Sequence, residues 1–346
     1  HEACDKAGMH KFRQINDEAV DVTVGNDVRV LLDSGEVLES ETLVLAFGNF
    51  LPPHPNVPDL TFTSSASYFH SPWTSDLYAT IRPDDSVFII GTGLSMADVA
   101  LQLERSGHRG KITALSTRGL LPATHRLGYT YPSFYEELQG LSRVTEVLRI
   151  VRKHAEKAQK NGSDWRAVID SLRPHTQEIW MNLPHEEKEY FRLHLSRYWD
   201  VARHRMPPGA AEKMGRMRLS GQLEIVKGRL RDVSSNGAFN IRYFSNAVDK
   251  KASADVLVNC IGSESNYEKI DVPLVRNLLK RGLIQPDTLR LGLNATPDGH
   301  IIGLDDRPSN VIYTLGTALK GILWESTAIP EIRTQARQLA SRLLSE

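Results

Sequence analysis

The sequence predicts an α/β fold in which one sheet domain is interrupted by a second, with an all-helical segment inserted into the second domain. Three observations support this prediction. Residues 87–116 follow the strand, glycine turn, helix, strand pattern of a βαβ unit. Two apolar strand patterns that end at glycine, 43–48 and 254–262, flank that unit. Between them, from about residue 131 to residue 206, the pattern changes to helical periodicity.

The size and composition are those of a globular protein with more than one core. A chain of 346 residues exceeds what one hydrophobic core usually organises, so two domains, or one with a large insertion, are expected. With 40% hydrophobic and 24% charged residues, the chain is not of the disordered class. The 42 Lys and Arg balance 42 Asp and Glu, so neither nucleic acid nor a membrane surface is an expected partner. A small-molecule substrate is expected instead.

The apolar runs and the cysteines indicate the cellular compartment of the protein. The longest apolar runs are strand-sized, well short of the roughly 20 residues that span a bilayer. The only two cysteines, Cys4 and Cys260, lie far apart, which excludes a CxxC redox pair and argues against a disulfide framework. The first ten residues contain neither an initiating Met nor the apolar core of a signal peptide. A cytoplasmic protein is therefore the expectation.

The first segment predicts a small antiparallel meander. From Ala19 onward, short β-rich runs are separated by turn signals at 25–27 and 33–35. The last run, Thr42 to Phe47, is continuously apolar and ends at Gly48, as a buried parallel strand would. The Pro-rich stretch 51–58 then predicts a crossover linker.

The βαβ unit predicts a strand over 87–90, a glycine turn over 91–93, a helix over 94–105 and a strand over 111–116. A glycine turn before a helix forms an anion site, because free backbone N–H groups and the helix dipole both point at a pyrophosphate. Gly91 permits the tight turn and Gly93 allows close approach of the phosphate. Met96 stands where the third glycine of the dinucleotide fingerprint is expected. Dinucleotide binding is favoured here over a purely structural turn.

The end of the second strand bears on the choice between NAD and NADP. An acidic residue at this position normally accepts from the ribose hydroxyl, but here the strand ends Ser116-Thr117-Arg118. Arg118 can pair with a 2′-phosphate through a charge-assisted contact, which favours NADPH over NADH. The alternative is a solvated surface arginine.

The helical segment carries a charged cluster but no metal motif. Helices are predicted around 141–151, at 165–172 and at 185–203. The four histidines at 175, 185, 194 and 204 form no HxxxH or HExxH pair, so no metal site is expected. Arg203, His204 and Arg205 precede two prolines, and they are candidates for a catalytic or substrate-binding role. The alternative is compensation of the helix C-terminal dipole.

The C-terminal third predicts a return to sheet. A hairpin is expected around 236–237, a closing strand over 310–315 and a final helix over 327–344. Trp324 and Glu325 precede this helix, and the tryptophan is either core or close to a helix N-terminus that could stabilise a negatively charged ring system. No Gly-x-Ser-x-Gly or Ser/His/Asp arrangement is present, so a hydrolase is not favoured.

Several longer segments carry a family resemblance. The strand endings "LVLAFGN" and "VLVNCIG" flank the βαβ unit, and "STRGLLPATHR", "YWDVARHRMPP" and "LWESTAIPEIR" follow. This order resembles the bacterial FAD/NAD(P)-binding protein family. These are flavoproteins with two dinucleotide-binding domains, related to flavin-dependent N-hydroxylating monooxygenases. The resemblance implies two Rossmann-like domains, with an FAD domain interrupted by an NAD(P)H domain.

The resemblance also implies domain limits and cofactor contacts. The FAD domain would comprise 1–58 and 263–346, and the NAD(P)H domain 59–130 and 216–262, with the helical insertion over 131–215. The chain would pass between the domains at Gly48 and Gly262. The residues expected to hold NADPH are Gly91, Gly93, Leu94, Ser95, Ser116 and Arg118. Those expected to lie against FAD are Gly316, Thr317, Trp324, Glu325, Ser326 and Thr327. Relatives often have Gly-Asp where this chain has Gly316-Thr317.

The function that the resemblance implies is an FAD- and NADPH-dependent oxidoreductase, monooxygenase-like, with electrons passing to oxygen or another acceptor. The lack of paired cysteines argues against a disulfide reductase of similar layout. Alternatives are a nucleotide-binding scaffold or sensor without turnover, and a protein-interaction role for the helical insertion. No GxGxxG motif for the ADP part of FAD precedes Ala19. An N-terminal truncation of at least one βαβ unit, roughly 30 residues, is therefore expected.

Overall fold

Fourteen β-strands lie within residues 12–345, the part of the chain that the computed structural model describes. They form two antiparallel sheets of three strands, one mixed sheet of three strands and one parallel sheet of five. Strands β1 to β14 are Ala19–Val24, Val28–Leu32, Val37–Ser40, Leu43–Leu45, Tyr68–Phe69, Val87–Ile90, Ile112–Ser116, Leu223–Lys227, Arg229–Asn236, Ala238–Ser245, Val248–Ala254, Val256–Asn259, His300–Ile302 and Pro308–Thr314.

Eleven α-helices lie in the same range of residues. Helices α1 to α11 are Leu77–Thr80, Leu94–Arg105, Val144–Lys160, Trp165–Ser171, Thr176–Asn182, His185–Tyr190, Ser196–Arg203, Pro208–Leu219, Pro273–Lys280, Lys320–Leu323 and Ile329–Leu343. A π-helical turn, Phe191–Leu195, separates α6 from α7. The single helix predicted over 185–203 is thus divided into three segments.

The chain divides into two compact units. The central unit runs from Asn49 to Glu264, and the terminal unit comprises the described residues up to Gly48 and from Ser265 onward. The first boundary therefore falls ten residues before the predicted one at 58. The reason is that the Pro-rich segment is bonded within the central unit: Asn259 Nδ2 donates to Pro53 O at 2.9 Å, and Glu264 N donates to Leu51 O at 3.2 Å.

The five-stranded parallel sheet of the central unit has the order β5-β12-β6-β7-β8. Helices α2 and α8 contribute to a core on this sheet, and the antiparallel sheet β9–β11 contributes to a second core with other side chains of the same strands. All four residues of β6 and of β12 are buried. Strands covered on both faces need apolar residues at every position, which explains their continuous apolar pattern.

The helical insertion is shorter than predicted. Met214 and Met217 of α8 belong to the core of the parallel sheet, so α8 is the crossover helix between β7 and β8. The preceding helices have a core of their own around Phe134, Tyr135 and Val168. The two ends of the insertion are pinned where His125 N donates to Met206 O at 2.7 Å. The insertion therefore closes near residue 206, not at 215.

The terminal unit contains the predicted meander and a short mixed sheet. Strands β1, β2 and β3 form the antiparallel meander, with α9 packed on β1. The second sheet has the order β13-β14-β4, in which β4 is parallel to β14. Strand β4 covers only Leu43–Leu45, half of the apolar run that predicted it. The parallel pairing brings the carboxyl ends of β4 and β14 side by side.

Most of the predicted elements are confirmed. The βαβ strand and helix, Val87–Ile90 and Leu94–Arg105, have the predicted bounds. The hairpin turns at Gly237, which has φ +79°. The closing strand and the final helix, β14 and α11, lie within two residues of the predicted positions. Cys4 and the predictions for the first ten residues lie outside the described part of the chain.

Candidate functional site

The glycine turn lies at the carboxyl edge of the parallel sheet, between the ends of β7 and β12. Gly91 N donates to Leu115 O at 2.8 Å, and Cys260 N donates to Ile90 O at 2.8 Å. Gly91 has φ +119°, and a Cβ built on it would lie 2.3 Å from Cys260 O. Only glycine fits this position, because both the backbone conformation and the neighbouring carbonyl exclude a side chain. The role predicted for Gly91 in the turn follows directly.

The N-terminus of α2 is open to a ligand. Gly93 is the N-cap residue, no side chain caps the helix, and its first turn contains no acidic residue. A Cβ built on Gly93 would meet nothing within 4 Å. The first N–H groups of a helix have no partner inside the helix, so those around Leu94 and Ser95 are available to an anion. The chain order reverses between β6 and β12, the position where parallel α/β sheets bind ligands.

A hydroxyl pair braces the turn from the side of β7. Thr92 Oγ1 donates to Leu120 O at 2.6 Å and lies 2.8 Å from Ser116 Oγ. Ser116 Oγ also accepts from Gly119 N at 3.0 Å. Since the Thr92 proton is given to Leu120, Ser116 donates to Thr92 and both hydroxyls are occupied within the chain. The geometry favours a positioning role for Ser116 over the predicted cofactor contact, and Thr92 is a site residue that the sequence reasoning missed.

Arg118 lies just past the end of β7 and is partly buried. Its Nη2 donates to Leu193 O at 3.5 Å, and its Cζ lies 5.3 Å from the centre of the Tyr198 ring. Both partners belong to the helical insertion. No described acidic residue forms an ion pair with this guanidinium, so its positive charge is uncompensated. The short-range sequence pattern located Arg118 but gave no sign of its two partners, which are 75 and 80 residues away.

Burial keeps the thiol behind the turn protonated. Cys260 is buried, and desolvation together with the nearby Asp98 raises the pKa of its thiol to about 12. Burial also raises the pKa of the Asp98 carboxyl. Since the thiolate is the reactive form of cysteine, Cys260 is not a nucleophile at neutral pH.

Gly262 follows β12 at the end of the central unit and has φ +104°, which requires glycine. The strand end before it is fixed by the fully buried Asn259, whose Oδ1 accepts from Ile261 N at 3.2 Å. The predicted strand-end role of Gly262 thus has a geometric basis.

A second group of predicted residues meets in the terminal unit, at the carboxyl ends of β4 and β14. Gly48 and Gly316 have φ +70° and +74°. Thr317 Oγ1 donates to Gly48 O, and Gly316 N donates to Gln335 Oε1 at 2.8 Å. The Thr317 hydroxyl thus ties the two strand ends together. Gln335, on α11, is a further residue that the sequence reasoning missed.

The segment before α11 is strained and contains a buried polar group without a partner. Trp324 has φ 59° and ψ −63°, rare for a residue with a side chain, and such strain is concentrated at functional sites. Glu325 and Ser326 are buried, whereas Thr327 is exposed. Ser326 is 0% exposed, and its Oγ has no hydrogen-bond partner among the described residues. An unpaired buried hydroxyl costs about 1–3 kcal/mol, so a bound group that pairs with it is favoured here.

The cluster at the end of α7 divides into different environments. The Arg205 side chain is 2% exposed, pairs with the Asp170 carboxylate and donates to Ala202 O at 2.7 Å. These contacts favour a structural role for Arg205, which ties α7 to α4. His204 ends the helix, with its N–H donating to Asp200 O at 2.8 Å. Arg203 and His204 are half-buried.

Residues 12–345 contain neither a metal-binding cluster nor a membrane-spanning helix. No group of three His, Cys, Asp or Glu in this range is arranged to hold a metal ion. Within the same range, every helix is too short or too polar to cross a membrane.

Comparison with known proteins gives matches in structure but not in sequence. No protein-family model and no curated protein matches the chain. The structure of Kutzneria sp. 744 ornithine N-hydroxylase with FADred, NADP+ and L-orn superposes with a TM-score of 0.60 at 14% identity, covering 99% of this chain and 75% of that one. Reduced ornithine hydroxylase from Pseudomonas aeruginosa gives 0.60 at 15% identity, with 94% and 70% covered.

A reductase shares the fold as well. Bacillithiol disulfide reductase from Bacillus cereus gives a TM-score of 0.54 at 13% identity, covering 99% of this chain and 75% of that one. These similarities confirm the predicted fold class, an α/β fold with a parallel sheet that these solved structures share. Because the same fold occurs in N-hydroxylases and in a disulfide reductase, the fold alone does not distinguish between these activities.

Proposed function

We propose that the protein is an oxidoreductase that binds NADPH and FAD. In this proposal NADPH reduces FAD, and the reduced flavin passes electrons to oxygen or another acceptor. The observation that carries it is the uncapped N-terminus of α2 at the switch point of the parallel sheet, with an uncompensated arginine after the next strand. The Kutzneria structure, with FADred and NADP+ in the same fold, supports the cofactor pair.

The residues around the glycine turn would hold NADPH. Gly93 leaves room for the pyrophosphate to approach the N–H groups of Leu94 and Ser95. Arg118 would pair with the 2′-phosphate, and the absence of a carboxylate after β7 leaves nothing to repel that phosphate. Thr92 and Ser116 would hold the turn in shape.

The residues at the ends of β4 and β14 would hold FAD. Gly48, Gly316 and Thr317 form the strand edge, and Ser326 offers a buried hydroxyl that has no described partner. Trp324, Glu325 and Thr327 would complete this site.

We propose oxygen, in a monooxygenase-like reaction, in preference to a disulfide as the acceptor. Thiol-dependent disulfide reduction needs an attacking thiolate, and Cys260 is the cysteine that the described residues offer. The Cys260 thiol is buried and its pKa is raised to about 12, so it remains protonated. A cytoplasmic location, where thiols stay reduced, agrees with this chemistry.

Anaerobic mixing tests the proposal. The protein is loaded with FAD and mixed with NADPH or, separately, with NADH, while the absorbance of oxidised flavin is followed. Bleaching by NADPH well ahead of NADH is the expected result. Equal rates would contradict the preference for NADPH but would still support an oxidoreductase. A protein that holds no flavin, or whose flavin neither nucleotide bleaches, would instead be a nucleotide-binding scaffold or sensor.

A further inference from the structure

We propose that Tyr198 of the helical insertion is a specificity-determining residue of the NADPH site, acting by holding Arg118 in position for the 2′-phosphate. The inference rests on the proposed function, because it assigns NADPH to the turn at Gly91 and Gly93. It goes further by making discrimination between NADPH and NADH depend on the insertion. The insertion is otherwise a separate helical body with its own core.

The contact joins two parts of the chain that have separate cores. Arg118 follows β7 at the cofactor edge of the sheet, whereas Tyr198 lies on α7, next to the π-helical turn 191–195. The guanidinium carbon lies 5.3 Å from the ring centre, within the range of a cation–π interaction. Leu193, inside the π-helical turn, offers its carbonyl to Arg118 Nη2. Such turns are frequent at functional sites.

The Arg118 guanidinium can still bind a phosphate while it contacts the Tyr198 ring. A guanidinium whose carbon lies over an aromatic ring keeps N–H groups with which it can bind a phosphate. The bond to Leu193 O is 3.5 Å long, at the limit for a hydrogen bond, and is easily exchanged for a charge-assisted one. An arginine already held by a ring also loses less side-chain freedom when the phosphate binds.

The lack of an acidic partner for Arg118 favours a ligand-binding role over a purely structural one. No described acidic residue pairs with Arg118, whereas the buried Arg205 pairs with Asp170. An arginine that served only to anchor the insertion would be expected to have such a partner. Tyr198 is 52% exposed, so it contributes little to the core of the insertion, and its ring can be removed without leaving a cavity.

The experiment measures dissociation constants for NADPH and NADH by calorimetry in matched variants. Tyr198→Leu is expected to weaken NADPH binding about two- to fivefold, the value of an exposed cation–π contact, and to leave NADH binding unchanged. Tyr198→Phe keeps the ring and should retain wild-type affinity. Tyr129→Leu is the control, since Tyr129 is also exposed, at 43%, and is not one of the residues that contact Arg118, which are Leu193 and Tyr198.

A double-mutant cycle separates the proposed role from a structural one. In an Arg118→Ala background, Tyr198→Leu should change neither affinity, because the ring acts only through the arginine. An equal loss of NADH and NADPH binding in Tyr198→Leu, or no loss of either, would overturn the inference while leaving the NADPH assignment in place. Wild-type protein that binds NADPH no better than NADH would contradict the proposed role of Arg118 itself, and with it the inference.

Discussion

The same substitution at the two glycines of the turn is expected to affect two different properties, stability and ligand affinity. Gly91→Ala places a methyl group 2.3 Å from Cys260 O on a backbone with φ +119°. Gly93→Ala places it in open space, on a backbone whose φ of −80° any residue adopts. Gly91→Ala is therefore expected to lower the stability of the fold, whereas Gly93→Ala is expected to lower the affinity for NADPH.

The structure gives the size of each effect. A residue with a side chain in such a strained conformation costs about 1–3 kcal/mol, and the contact with Cys260 O also pushes β12 from β6. A total of about 3 kcal/mol lowers the melting temperature of a unit this size by about 6–12 °C. In Gly93→Ala, losing one charge-assisted bond to the pyrophosphate costs about 1.5–3 kcal/mol, a tenfold to hundredfold loss of NADPH affinity.

Thermal unfolding by circular dichroism and calorimetric titration with NADPH measure the two effects on the same samples. Gly91→Ala should melt early, whereas Gly93→Ala should melt with the wild type and bind NADPH weakly. The reasoning is refuted if Gly93→Ala binds NADPH as tightly as the wild type, or if the two variants are equally destabilised.

Three further substitutions test other parts of the structure. Tyr68→Phe removes the hydroxyl that lies 3.0 Å from His54 Nδ1 and should cost about 1 kcal/mol in urea unfolding, with Tyr129→Phe as a neutral control. The hydrogen bond from the Ser86 side chain is the main cause that lowers the pKa of Asp255 below 3.8, so this carboxylate stabilises the fold above that pH and the benefit is lost as the pH falls. Asp255→Asn should therefore destabilise the protein at pH 7 and converge with the wild type well below 3.8; a gap that persists in acid would contradict this. Ser326→Ala removes an unpaired buried hydroxyl, so it should leave flavin-free stability unchanged or higher and weaken FAD binding; lower stability without flavin would show a missed partner.

Local sequence patterns were sufficient to predict the elements whose residues are buried throughout. The βαβ unit was predicted with its bounds because β6 is covered on both faces and α2 packs one face on the sheet. The tight turn at Gly91 could be predicted for the same reason, since the glycine spacing and the strand end are adjacent in sequence.

Long-range packing decided what the sequence missed. The sequence pattern did not separate helix α8 from the insertion, and its contacts with the sheet through Met214 and Met217 show that it is the crossover helix. The partners of Arg118 and of Thr92 are 24 to 80 residues away from them. Nor did the sequence show the unpartnered hydroxyl of Ser326, because a missing hydrogen bond depends on every neighbour of the group.

The most direct test of the central claim is a crystal structure of the protein with NADP+. We expect the pyrophosphate at the N–H groups of Leu94 and Ser95 and the 2′-phosphate against the Arg118 guanidinium, with Leu193 O released and the Tyr198 ring still in contact with that guanidinium. A nucleotide bound away from the N-terminus of α2, or one whose 2′-phosphate points away from Arg118, would contradict the account.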